Sequence, residues 1–263
     1  MADNSHLYAV IMAGGRGTRF WPLSRESRPK QVLPIAGPEP MIRTAVDRVL
    51  PLTQAERVLV MTGAAHAKRV KDILPDLPPE NIIAEPVGRD TAPCIGLAAH
   101  VIRDRDRGGI MIVLPADHII TNTAVFRDLV LAGASLAGRE KALVTLGVKP
   151  THPETGYGYI EAGTRGLEIQ GHTAWPALAF HEKPGRGKAR EYLADERFYW
   201  NSGIFIWEAL TILKQMQKLM PGLAGSLESL AEHWGGDNFE TAINRIYPQL
   251  ESISIDYGVM EKA

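Results

Sequence analysis

Cysteine is nearly absent: Cys94 is the only one in 263 residues. A lone thiol excludes an internal disulfide framework and a cysteine metal cluster. Cys94 lies among small and apolar residues, the setting of a buried, inert thiol rather than a nucleophile. Net charge is nearly absent too, at −1 from 29 basic and 30 acidic residues. Binding along a nucleic acid needs a basic face, so no nucleic-acid partner is expected. The one dense charge run, Arg103-Asp104-Arg105-Asp106-Arg107, alternates in sign and reads as a solvated helix end. No apolar stretch approaches membrane-spanning length, and the opening MADNSHLYAVIMAGG has no cationic start. Its short apolar run suits a first buried strand. The expectation is a cytoplasmic protein without membrane association.

What remains is an ordinary globular composition, 45% hydrophobic and 22% charged, without internal repeat, linker or low-complexity segment. Compact apolar runs at 7–12, 58–61, 82–83, 110–114 and 142–148 read as strands. Between them, 41–50, 65–74, 91–103 and 122–137 carry apolar residues at helical spacing, with Thr121 or Asn122 available to cap the last. The alternation predicts an α/β fold, a mixed but mostly parallel sheet with helices on both faces. From 150 to 180 short segments rich in Gly, Thr and aromatics suggest a β-rich excursion, suited to the lid or floor of a pocket. Strands then follow at 179–182 and 203–207, and helices at 187–193, 208–220 (stopped by Pro221-Gly222) and 239–250.

The first predicted strand, 7–12, is followed by Ala13 and the run Gly14-Gly15-Arg16-Gly17-Thr18-Arg19. Glycines there let backbone N–H groups approach a polyphosphate, and Arg16 and Arg19 can add charge-assisted bonds. Taken alone the loop is also a plausible tight turn. Two better-known loops fit poorly. The dinucleotide fingerprint wants a third glycine where Phe20 stands, and no Gly-Lys-Ser/Thr of a P-loop follows.

The longer stretch AGGRGTRFWPLSRESRPKQVLPIAG resembles the signature loop of the hexose-1-phosphate nucleotidyltransferases. Trp21 and the Pro29-Lys30-Gln31 ending are similar to those of mannose-1-phosphate guanylyltransferases. The resemblance continues through IIAEPVGRDTAP (82–93), LPADH (114–118), TGYGYI (155–160), FHEKP (180–184), WNSGIF (200–205) and SIDYGVMEK (254–262). These blocks stand in family order. They imply a Rossmann-like nucleotide-diphospho-sugar transferase fold and GMP transfer from GTP to mannose 1-phosphate, yielding GDP-mannose and pyrophosphate. Another hexose 1-phosphate or nucleotide, or a non-catalytic nucleotide-sugar binder, stays open as an alternative.

Phosphoryl transfer of this kind is stabilised by positioning and charge clamps. The resemblance implies Arg16, Lys30, Asp117 and Lys183 as the catalytic set. Arg16 and Lys30 would clamp the triphosphate, and Lys183 would pair with the sugar phosphate. Asp117, after a buried strand, would hold the Mg²⁺ cofactor, since open α/β sheets place ligands at strand ends. Ala13, Gly14, Gly15, Gly17, Thr18, Arg19, Glu85, Asp90 and Thr91 would bind the nucleotide. Glu85 would accept from the N1–H and N2 amine of guanine, which adenine does not present. Gly158, Glu182 and Asn201 would bind the sugar. Each has a plain structural reading as well: Asp117, Asp90 or Thr91 as a helix or turn cap, Gly158 as a bulge, Glu182-Lys183-Pro184 as a turn. Trp200, Phe205 and Trp207 read as core or pocket wall.

In the family a W-x-D-V-G-like turn, whose aspartate is the second metal carboxylate, follows the SIDYGVMEK block, and a β-helical or isomerase domain comes after it. The sequence stops at Ala263, so residues 1–263 read as one catalytic domain, incomplete at its C-terminus and without either added domain. Asp256 does not match the missing aspartate. The resemblance allows a homodimer.

Overall fold

The computed structural model describes residues 4–15, 21–25, 28–35 and 37–263. Four strands form its parallel half: β1 (Leu7–Ala13), β2 (Val58–Gly63), β3 (Ile82–Glu85) and β4 (Ile110–Pro115), ordered β3-β2-β1-β4. Their side chains are apolar at successive positions because both faces are covered. Tyr8 and Val10 of β1 pack into one core with Leu97 and Val101, while Ala9 and Ile11 pack into the other with Val46 and Val130. The covering helices are α3 (Thr91–Arg105) on the first face, and α1 (Met41–Val49) and α4 (Thr123–Glu140) on the second. α2 (Ala64–Ile73) adds Val70 to the second core. Asn122 caps α4 by accepting from Val125 N–H at 3.1 Å.

The second half is antiparallel at its seams. β5 (Val144–Val148), β6 (Tyr159–Ala162), β9 (Ala177–His181) and β10 (Phe198–Glu208) complete an eight-stranded sheet. β7 (Leu167–Ile169) and β8 (His172–Ala174) form a separate hairpin within the predicted excursion. β1 to β6 all point one way; only β9 and β10 run against them, so the sheet is mixed but mostly parallel in strand direction.

β10 organises this half. Phe205 and Trp207 pair with Val113 and Met111 of β4, whereas Phe198 and Trp200 pair with Glu161 and Tyr159 of β6. Trp200 and Phe205 also pair with Val148 and Thr145 of β5. Each of these central residues has two partners, so β5 lies along one edge of β10 while β4 and β6 share the other. Between them, at residues 201–204, that shared edge has a notch, and the register shifts there against β5.

The remaining helices are α5 (Arg186–Ala194), α6 (Ala209–Leu219), α7 (Pro221–Ala231) and α8 (Phe239–Ile246). Three sequence expectations need correction. The Pro221-Gly222 pair stops one helix but also starts the next: Pro221 is at the first turn of α7, where its missing N–H costs nothing. The strand expected at 203–207 begins at Phe198, because the irregular 201–204 segment hides its continuity. The helix expected to reach residue 250 ends at Ile246 and continues as a 3₁₀ turn, Tyr247–Gln249, where Pro248 cannot continue an α-helical ladder. Arg103 and Arg105 are less idle than a solvated helix end suggests, since they reach Glu228 (2.9 Å) and Asn81 (2.8 Å).

Candidate active site

The C-terminal ends of β1, β3 and β4 open into a cavity of about 380 Å³. It is lined by Gly14, Gly15, Lys30, Gln31, Glu85, Asp90, Thr91, Cys94 and Asp117, among others. The parallel strands stop together here, so their loops converge where backbone groups are free to meet a ligand. Of the predicted nucleotide loop, Ala13, Gly14 and Gly15 are described; Arg16, Gly17, Thr18 and Arg19 lie outside the described residues.

Gln31 braces the loop. Its Nε2 donates to the Ala13 carbonyl at 2.5 Å and to the Gly15 carbonyl at 2.9 Å. The motif Pro29-Lys30-Gln31 therefore does two jobs: Gln31 shapes the loop while Lys30, one residue away on a 3₁₀ turn (Lys30–Val32), ion-pairs with Asp117. Both charged side chains are about one-fifth exposed at the cavity mouth, at 19% and 24%.

Glu85 ends β3 and is 4% exposed. Its Oε1 accepts from the Tyr247 hydroxyl, and Gly14 packs so close that a Cβ there would come within 2.9 Å of its Oε2. Burial pushes the Glu85 carboxyl up to about 7, and the bond from Tyr247 only partly opposes that. Asp90, at φ +64°, caps α3 by accepting from the Thr91 N–H at 2.8 Å. Thr91 Oγ1 accepts from the Ile255 N–H at 2.8 Å. Asp90 and Thr91 thus have the capping and bracing roles a plain structural reading allows, and they still line the cavity. Cys94 is buried, and desolvation raises its thiol well above the ordinary range, so it is kept protonated.

The predicted sugar residues meet on the far side of the notch. The Asn201 N–H donates to the Gly158 carbonyl at 2.8 Å, continuing the β6–β10 ladder. A Cβ on Gly158 would lie 2.5 Å from Glu182 Oε2 and 3.4 Å from the Asn201 Cβ, so glycine is what lets the three approach. The Glu182 side chain is 8% exposed and ion-pairs with Lys183, whose side chain is half exposed. Lys183 has φ +47°, an uncommon backbone for a residue with a Cβ, and its N–H is held by the Tyr157 carbonyl at 3.2 Å. The Glu182 carboxylate raises the Lys183 ammonium pKa. Trp200, Phe205 and Trp207 are buried, as core rather than stacking platforms.

Sequence reasoning missed Tyr247 and set Asp256 aside. Asp256 Oδ1 accepts from Asn201 Nδ2 at 2.9 Å. Burial and the nearby Glu182 carboxylate push its carboxyl up to about 6, against the pull of Lys183 and Asn201. Tyr247 has no local sequence signal, and Asp256, although it stands in the SIDYGVMEK block, has a partner far away in the chain that the block does not name.

Among the described residues no three His, Cys, Asp or Glu side chains form a metal cage. Asp117, a single carboxylate at a strand end and at the cavity wall, fits Mg²⁺ held mainly by phosphate and water, as is usual for that ion. Among the described residues no helix is long and apolar enough to cross a membrane.

A family model for nucleotidyl transferases matches residues 8–239. The mannose-1-phosphate guanylyltransferase of Klebsiella pneumoniae is 39% identical over 97% of this chain and 54% of its own length. The xanthan biosynthesis protein XanB of Xanthomonas campestris is 39% identical over 98% of this chain, again 54% of its own length. The chain therefore spans about half the length of the curated relatives it matches. A crystal structure from Thermus thermophilus, described as a mannose-1-phosphate geranyltransferase, superposes with a TM-score of 0.83 at 35% identity, covering 98% of this chain and 72% of that one. A family match over most of the chain thus agrees with a fold whose parallel strand ends converge on one cavity, and the chain belongs to the nucleotidyl transferase family.

Proposed function

We propose that the chain transfers GMP from GTP to α-D-mannose 1-phosphate, releasing pyrophosphate and forming GDP-mannose. The observation that carries this reading is the arrangement along one edge of β10. β4 brings Pro115 against Gly203 at the notch, and the Lys30–Asp117 pair stands beyond its end. β6 brings Gly158, with Glu182 and Asn201, to the other side of the same notch. A nucleotide in the cavity and a sugar phosphate by Gly158 would meet between them.

The reaction is an in-line displacement. A phosphate oxygen of mannose 1-phosphate forms a bond to the α-phosphorus of GTP. The bond from that phosphorus to the bridging oxygen breaks, and its electron pair leaves with pyrophosphate. Lys30 supplies charge to the leaving group, and Lys183 pairs with the sugar phosphate. Lys183 is held meanwhile by Glu182, and because the lysine side chain is half exposed its ammonium can reach a sugar phosphate while keeping that partner. Asp117 would hold Mg²⁺, which supplies neutralising charge across the phosphates. Glu85, when ionised, is the acceptor that distinguishes guanine from adenine.

The experiment is pyrophosphate release from a matrix of nucleotides and sugar phosphates with Mg²⁺ present. Preferred turnover of GTP with mannose 1-phosphate is the expected result. A preference for UTP or dTTP with glucose 1-phosphate would overturn the guanylyl assignment, and binding without turnover would favour a non-catalytic nucleotide-sugar binder.

A further inference from the structure

The stretch after α8 passes across both halves of the site. The Tyr247 hydroxyl bonds Glu85. Further on, the Ala92 N–H donates to the Ile253 carbonyl at 3.1 Å, and the Ile255 N–H donates to Thr91 Oγ1 at 2.8 Å. The chain then makes a π-helical turn, Asp256–Met260, whose first residue accepts from Asn201 Nδ2 at 2.9 Å. Glu261 Oε1 finally accepts from the Glu182 N–H at 3.0 Å. Glu85 and Thr91, proposed to touch the nucleotide, and Asn201 and Glu182, proposed to touch the sugar, are thus held by one segment, 247–261.

Asn201 is where this holding has chemical content. Its Oδ1 accepts from the Gly203 N–H at 3.0 Å and from the Thr145 hydroxyl at 3.3 Å. One of its two amide hydrogens goes to Asp256. An ionised carboxylate only accepts, so it permits one amide orientation: the flipped form would set oxygen against oxygen at Asp256 and N–H against N–H at Gly203. One donor is then left for a ligand. Keeping Asp256 there also has a cost, since it stands near Glu182 and in a largely desolvated place. A residue that merely filled the space would avoid that cost.

Resting on the hexose 1-phosphate reading, we propose that Asp256 is the positioning residue of the sugar side: it fixes the Asn201 amide so that its one unspent N–H is offered to a hexose hydroxyl oxygen. Its own place is set from the nucleotide side, through the bond of Ile255 to Thr91.

The test is calorimetric titration of the full chain with mannose 1-phosphate and, separately, with GTP. Asp256→Ala should weaken mannose 1-phosphate about tenfold and GTP by less than about twofold, the loss of one charge-assisted bond. Asp256→Asn keeps an acceptor oxygen and should lose less than about threefold. Asp256→Leu keeps volume without an acceptor and should match Asp256→Ala, which also covers the case in which the alanine variant does not fold. Placed in an Asn201→Ala background, Asp256→Leu should cause no further loss. The proposal is overturned if the Ala and Leu variants bind mannose 1-phosphate like the parent. It is equally overturned if all three variants lose both ligands together, or if the effects of Asp256→Leu and Asn201→Ala add. If the parent chain binds GTP but not mannose 1-phosphate, the sugar reading itself fails and this role falls with it. If the parent binds both and the Leu variant is unchanged, only the role of Asp256 fails.

Discussion

Tyr247 donates its phenolic hydrogen to Glu85, a residue 162 positions earlier in the chain, and both side chains are buried where the cavity meets the core. The bond gives a desolvated carboxylate one of the few partners available to it.

Removing that partner should be costly. In Tyr247→Phe the ring still packs, but Glu85 loses its donor, and leaving a buried acceptor unpaired costs about 1–3 kcal/mol. Thermal or denaturant unfolding should show this loss, and the Glu85 carboxyl should titrate higher still. An unfolding midpoint equal to that of the parent would mean that water replaces the phenol without penalty.

Glu85 should also give stability a pH dependence of definite sign. Its folded pKa, about 7, stands above the ordinary value of 4.5, so its contribution is fully present below about pH 4.5 and is lost as pH rises through about 7. The full effect is about 3 kcal/mol. Asp256 acts in the same direction at lower pH, from 3.8 to about 6. Denaturant titrations at about pH 5 and about pH 8 should differ in that sense, and Glu85→Gln should remove the upper part of the difference. GTP binding should move oppositely, strengthening through about pH 7 as the guanine acceptor ionises.

Lys30 and Asp117 should fail in different ways. Lys30→Met removes charge from the leaving group and should lower kcat about a hundredfold, in line with losses of single transition-state contacts. Asp117→Asn should instead shift the Mg²⁺ requirement upward, so that turnover partly recovers at high Mg²⁺. Pyrophosphate release measured across a Mg²⁺ series separates the two; identical profiles would contradict the division of roles.

Gly158→Ala probes the sugar side by sterics alone. Its Cβ would fall 2.5 Å from Glu182 Oε2, so Glu182 must move and its alignment with Asn201 is lost. The KM for mannose 1-phosphate should rise about tenfold, the worth of one misplaced charged hydrogen bond, with the KM for GTP unchanged. An equal rise in both would place Gly158 outside the sugar subsite.

The parallel half was legible because strands buried on both faces are apolar at successive positions, as β1 and β2 are, and helices between them keep a 3.6-residue spacing. α7 escaped because a proline-glycine pair looks the same whether it ends a helix or begins one. β10 was seen only in part, since its irregular middle interrupts the pattern where the sheet is notched. In the site, the resemblance named Lys30, Asp117, Gly158, Glu182 and Asn201, and the fold brings Lys30 to Asp117 and gathers the other three. Tyr247 was not legible, and Asp256 was legible only as part of the SIDYGVMEK block: a tyrosine before a proline and an aspartate in a turn carry no mark of partners 162 and 55 positions away.

Val148 at the end of β5 and Trp200 in β10 pair with each other directly, although 51 residues separate them along the chain. Everything between them, including Gly158, Glu182 and Lys183, is therefore inserted between two paired positions, and its strands β6 and β9 extend the sheet on that side. Such an insertion can be lengthened, shortened or exchanged without moving β3 and β4, which end at Glu85 and Pro115. Part of the acceptor side is thereby free to diverge on its own, and a graft of residues 149–199 between relatives would exchange Gly158, Glu182 and Lys183 while leaving Asn201 and Asp256 with the nucleotide side.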